Sequence, residues 1–122
     1  MEMKIEVVFV PVSDTDRAKA FYVDQVGFHA DHDQRVSPTL RFVQLTPPGS
    51  ACSIAFGDGL TQAAPGSLKQ VMMVVPDAAA ARTELVERGV DASEVDEQAW
   101  GRFVYFADPD GNTWQLQELP KR

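Results

Sequence analysis

The feature that most constrains this chain is an order of signals that runs twice. The triplet Arg41-Phe42-Val43 opens RFVQLTPPG, and the same triplet, Arg102-Phe103-Val104, opens RFVYFADPDG; each runs into a turn bearing Pro and Gly. The segment IEVVFVPV at 5–12 is a β-branched and aromatic run with the character of a strand. In the following SDTDRAKAFYVDQVGF, Ser13 or Asp14 can cap a helix with Asp16 in its first turn. Ala18, Phe21, Tyr22 and Val26 form that helix's apolar face, and Gly27 stops it. FHADHD, LRFVQL and CSIAF then read as three short strands, with Pro47-Pro48-Gly49 turning the chain between the last two.

After a Gly- and Pro-bearing connector at 58–68, the order restarts with the strand QVMMVV. PDAAAARTELVERG supplies a cap at Asp77, an Ala-rich helix and a stop at Gly89, so Val75-Pro76-Asp77 is the counterpart of Val12-Ser13-Asp14. A short strand around SEVDE, then RFVYFA and TWQLQE, complete the second copy, and Asp108-Pro109-Asp110-Gly111 turns the chain between the last two. The expected fold class is α+β: two tandem βαβββ modules, at about 1–57 and 69–122, in a single domain. A chain of 122 residues is long enough to bury one core.

Composition narrows the functions. The hydrophobic share of 44% and charged share of 24% are those of a globular domain. No apolar run approaches the roughly 18 residues of a membrane span, and the N-terminus lacks a signal-cleavage pattern, so a cytoplasmic protein is expected. The single Cys52 cannot form an internal disulfide and reads as a small strand residue in a reducing compartment. A net charge of -7, with Lys and Arg scattered, excludes nucleic acid and anionic membrane as natural partners and would favour a cationic ligand.

The ordered set of an aspartate after the first strand, AFY...VGF on the first helix and DPDGN before the last strand resembles the vicinal oxygen chelate superfamily, over essentially the whole chain. That superfamily includes glyoxalase I, extradiol dioxygenases, and the fosfomycin and bleomycin resistance proteins. Within it, EQAWGRFVYFADPDGN at 97–112 looks most like the bleomycin-binding proteins. The resemblance implies a curved sheet cup, commonly completed by a second chain, and hence a homodimer. It also implies metal ligands on the first and last strands of each module, and those positions fall here at Val7, Ala55, Gln70 and Gln115. Two are alkyl groups and two are neutral amides, a poor donor set for a divalent cation. Metal and cofactor are therefore expected to be absent. The only histidines, His29 and His32, lie in HADHD and read as a solvated polar strand near an edge.

Period two sorts the strand residues by face. Val8, Val10, Val12, Val43, Leu45, Val71, Met73, Val75, Val104, Phe106, Trp114 and Leu116 should face the helices. The opposite parity, with Trp100 at a strand entrance, gives the expected ligand-binding set: Phe9, Phe42, Gln44, Ala55, Gln70, Met72, Trp100, Phe103, Tyr105 and Gln115. Aromatics and Met offer stacking and adaptable contact, and amides orient a ligand's polar groups. None is a good base at neutral pH, so no catalytic residue is assigned. Phe42, Phe103 and Tyr105 either stack on a ligand or fill the cup as a second core, and Arg41 and Arg102 either form ion pairs or bind an anion. The favoured function is metal-independent binding of an aromatic or amphipathic small molecule such as an antibiotic. The alternatives are a metal-dependent lyase, isomerase or dioxygenase using Glu6, Gln70, Gln115 or the His29 cluster, and a module that supports another protein.

Overall fold

The computed structural model describes residues 1–121. The first module comprises β1 (Val7–Phe9), α1 (Thr15–Ala20) prolonged by a π-helical turn (Phe21–Val26), β2 (His29–Ser37), β3 (Leu40–Thr46) and β4 (Ser53–Asp58). The second comprises β5 (Val71–Val74), α2 (Ala78–Glu87), β6 (Asp96–Gln98), β7 (Gly101–Ala107) and β8 (Thr113–Glu118). Two mixed sheets result, in the orders β1-β4-β3-β2 and β5-β8-β7-β6. In each, the module's first strand runs parallel to its last and the other pairs are antiparallel. The registers repeat as well: Arg41 lies opposite Asp58 and Arg102 opposite Glu118.

Local signals fix most boundaries. Asp14 and Asp77 both cap, each accepting a backbone N–H at 3.0 Å, from Arg17 and Ala80 respectively. Gly27 and Gly89 end the helices in left-handed conformations. β1 is shorter than the eight-residue run in the sequence because the chain leaves the sheet at Pro11. That carbonyl accepts from Asn112 Nδ2 at 2.8 Å and from the Gly66 N–H at 3.1 Å, both outside the sheet. β2 runs on to Ser37, past the polar segment that suggested it, because β3 pairs with it along that length through two register shifts. β6 starts at Asp96 rather than Ser93.

The helix-side faces of both sheets join in one core. Val43, Leu45, Ile54 and Phe56 from the first sheet share a cluster with Val104, Phe106, Trp114 and Leu116 from the second. Val12, Val71, Met73 and Val75 pack at its margin, and Val8 is half-buried. The rings of Phe21, Tyr22 and Phe28 bridge the modules: Tyr22 meets Phe56 at 5.9 Å and Trp114 at 5.7 Å between centroids.

A polar network lies inside this apolar seam. Asp108, 5% exposed, accepts from Tyr22 Oη at 2.7 Å, from Asn112 Nδ2 at 2.7 Å, and from the backbone N–H groups of Asp110 and Asn112 at 2.9 Å each. Trp114 Nε1 donates to Tyr22 Oη at 2.9 Å, and Asn112 Oδ1 accepts from the Leu68 N–H at 3.1 Å. Burial, and next the Asp108 charge, push the Tyr22 phenol far above its ordinary value, so it stays a donor. Every member is satisfied, which a buried network requires to be stabilising.

At the surface, Arg41 clamps the first module. It holds Asp33 of β2 through Nε and Nη2 at 3.0 and 2.9 Å and Asp16 of α1 through Nη1 at 2.7 Å. Arg41 is thus engaged in ion pairs rather than free for an anion. Those hydrogen bonds, with one from Lys19, hold the Asp33 carboxyl well below the usual carboxylate range.

Tyr22→Phe removes the phenol from Asp108 and leaves the Trp114 N–H unpaired, so urea unfolding is expected to show a loss of about 2 kcal/mol. A loss below about 0.5 kcal/mol would show that the network does not hold the seam. Asp33 has a depressed folded-state pKa, so its contribution is complete above its unfolded value of about 4 and is lost as pH falls through the folded value. Acid titration of thermal stability should therefore fall less steeply in Asp33→Asn than in the parent; equal slopes would contradict the clamp.

Candidate functional site

The faces turned away from the core are short polar and aromatic surfaces. On the first sheet, register places Phe9, Ala55, Gln44 and His32 in one row, and Gly57, Phe42 and Gln34 in the next. On the second, Met72, Gln115 and Tyr105 form one row, and Val74, Gln117, Phe103 and Asp96 the next. Ala55 and Phe103 are buried without belonging to the helix-side core, whereas Phe9 and Met72 are each 49% exposed.

The second face has the more defined geometry. Phe103 and Tyr105 stack, with centroids 6.2 Å apart and planes 6° from parallel. Tyr105 Oη donates to Asp96 Oδ2 at 2.5 Å, and Gln98 Nε2 donates to Asp96 Oδ1 at 3.0 Å. The hydrogen bond to Asp96 raises the Tyr105 phenol above its ordinary value, and the same bond lowers Asp96. One group stays a donor and the other an anion, and each occupies the other. Gln117 Nε2 donates to the Trp100 carbonyl at 2.9 Å, fixing the backbone that presents the 62% exposed Trp100 ring. Gly101, at φ 146°, has no room for a side chain, because a Cβ would stand 2.6 Å from the Glu118 carbonyl oxygen.

The predicted set thus divides between two sheets. Phe9, Phe42, Gln44 and Ala55 are on the first, and Met72, Phe103, Tyr105 and Gln115 on the second. Among the described residues, no hydrogen bond or ring contact joins the two groups. Gln70 precedes β5, exposed, with a left-handed φ of 61° and its N–H bonded to Thr113 Oγ1 at 2.8 Å. A cavity of about 420 Å³ lies elsewhere, between α2, β5 and the turn at 47–50; Met72 is the one predicted residue on its wall. Sequence reasoning missed Asp96, Gln117, His32 and Gln34. For β8, the parity that selected Gln115 would also have selected Gln117; the others lie on β2 and β6, which carry no apolar alternation.

The model of the Glyoxalase/Bleomycin resistance protein/Dioxygenase superfamily matches residues 4–116. The chain belongs to that superfamily. Among solved structures it is similar to TnmS3, an antibiotic binding protein from Streptomyces sp. CB03234, at 35% identity, a TM-score of 0.88 and 98% of each chain covered. A glyoxalase/bleomycin resistance protein from the same organism is 36% identical, with a TM-score of 0.82 over 94% of this chain and 100% of that one. The uncharacterised YetH of Bacillus subtilis (strain 168) is 26% identical over 120 residues, 97% of this chain and 100% of its own.

The superfamily's metal does not fit the residues present. Val7 and Ala55 carry no donor atom, Gln70 points from a left-handed turn, and Gln115 lies between Met72 and Tyr105 in the strand register. Among the described residues, no three of His, Cys, Asp and Glu gather as a metal site. His29, with a side chain 77% exposed, approaches Asp31 at 3.8 Å on the edge strand β2.

Asp96→Asn removes the charge and weakens the acceptor beside Tyr105. Ultraviolet difference titration should show the Tyr105 ionisation moving down toward its ordinary value; an unmoved ionisation would break the assigned pair.

Proposed function

We propose that this superfamily member binds and sequesters an aromatic or amphipathic small molecule, such as an antibiotic, without a metal. The observation that carries this reading is the face of the second sheet turned away from the core. It presents Tyr105, backed by the buried Phe103 ring stacked on it, with Met72, Gln115 and Gln117, and its one carboxylate and one phenol are bound to each other. Such a face can stack on a flat ligand and orient it through amides. It offers no free base for proton transfer. Likeness to an antibiotic binding protein over nearly the whole chain supports the reading.

In this proposal the two concave half-sites are completed in a homodimer, the first sheet of one copy facing the second sheet of the other. The edge strands β1 and β5 and the exposed Phe9, Met72 and Val74 favour such a pairing. The net charge of -7 would draw a cationic ligand toward the assembly. A single reduced thiol, Cys52, suits the cytoplasm.

Titration of tryptophan fluorescence with bleomycin and a panel of planar aromatic antibiotics tests the reading, since Trp100 is 62% exposed and Trp114 only 1%. A saturable change unaffected by chelator is expected; Phe103→Ala read by fluorescence, and Trp100→Ala read by calorimetry, should each weaken binding by about 1–3 kcal/mol, roughly fivefold to 150-fold. Chelator-reversible stoichiometric metal together with no saturable binding would overturn the proposal. Sedimentation should give a dimer; full-affinity binding by a monomer would refute the shared site.

A further inference from the structure

The duplication creates two equivalent seams between the modules, and they have diverged. Counting on from the capping aspartates Asp14 and Asp77, Tyr22 and Leu85 are equivalent. Trp114 lies opposite Val71 as Ile54 lies opposite Val8, so Ile54 stands where Trp114 does. In the turns before the last strands, Asp108 and Asn112 are matched by Pro47 and Cys52. The four residues of the buried network therefore have as counterparts leucine, isoleucine, proline and cysteine. The Cys52 thiol is turned onto the Ser53 carbonyl at 3.6 Å.

Where the network closes one seam, the cavity of about 420 Å³ remains in the other. Leu85, Val75, Leu116, Met73, Phe28 and Pro47 are on its wall. Its volume lies within the roughly 300–1,000 Å³ of small-molecule pockets. The side chains of Glu84 and Ser50 at its border are already engaged. Glu84 holds Arg88 at 2.7 Å, and Ser50 Oγ bonds both the N–H and the carbonyl of Cys52, at 3.1 and 2.8 Å. The Ser50 N–H closes onto the Pro47 carbonyl at 3.0 Å. An ion would lose its hydration there against a wall made mostly of alkyl and ring groups. A hydrocarbon or aromatic surface would meet alkyl groups and the adaptable thioethers of Met72 and Met73.

We propose that this cavity is a second small-molecule site, bordered by the edge strand β5 but distinct from the Phe103/Tyr105 face, and that it takes a neutral, predominantly hydrocarbon or aromatic molecule. Its reporter is Met73, which packs on the helix-side core, whereas Met1 and Met3 are fully exposed at the N-terminus.

The test is nuclear magnetic resonance of isotope-labelled methionine methyl groups during titration with naphthalene. The Met73 signal should move saturably while Met1 and Met3 stay in place. Ala81→Phe, which fills the cavity, and Pro48→Trp, which covers it from an exposed turn, should each abolish the movement; the second serves if the first does not fold. Phe103→Ala on the outer face of the second sheet should leave it intact, so this result is independent of antibiotic binding read at Trp100. An immobile Met73, or movement that survives both filling variants, would refute the site. Movement of Met73 with protein concentration alone, without naphthalene, would assign the cavity to a second copy of the chain and overturn the proposal.

Discussion

The carboxylate of Asp108 is the point on which the two halves of this molecule depend. A buried charge is costly unless its hydrogen-bonding capacity is filled, and here four donors converge on it from both modules. Tyr22 belongs to the first helix, Asn112 to the last turn, and Asn112 in turn binds Pro11 at the exit of the first strand. Neither half contains enough surface to bury a large core alone. The apolar rings supply most of the driving force for bringing the halves together, but apolar contact tolerates sliding. The directional bonds around Asp108 set the one relative placement at which all the partners are met.

Much of this architecture was legible in the sequence because its signals are local. The capping aspartates, the stop glycines and the alternation of Val43, Leu45, Val104 and Phe106 each act within a few residues of chain. The misread elements depend on distant partners. β2 is an exposed edge strand whose length is set by β3, and its polar sequence has no buried face to advertise. β1 ends early because Asn112, a hundred residues away in the chain, takes the Pro11 carbonyl. The π-helical turn at Phe21–Val26, where the Tyr22 carbonyl receives the N–H groups of Gly27 and Phe28, follows from packing rather than propensity.

For the candidate site, parity identified which residues leave the core but not which of them can meet. Phe42 and Phe103 occupy equivalent positions on different sheets, and one-dimensional spacing cannot separate a shared cup from two half-cups. Asp96 escaped notice because β6 is three residues long and acquires its face only from its pairing with Phe103. The alkyl and amide character of Val7, Ala55, Gln70 and Gln115 was, by contrast, plain in the sequence, since donor chemistry is a property of the residue itself.

The unlike seams also record an order of events. If separate single-module chains had paired symmetrically, both seams would have carried the same residues: the Tyr-Asp-Asn-Trp group twice, or its apolar replacement twice. One polar seam beside one apolar seam is closed to two copies of one chain and open to halves joined in tandem, where each can change without its twin. The difference between the seams is therefore younger than the joining of the halves.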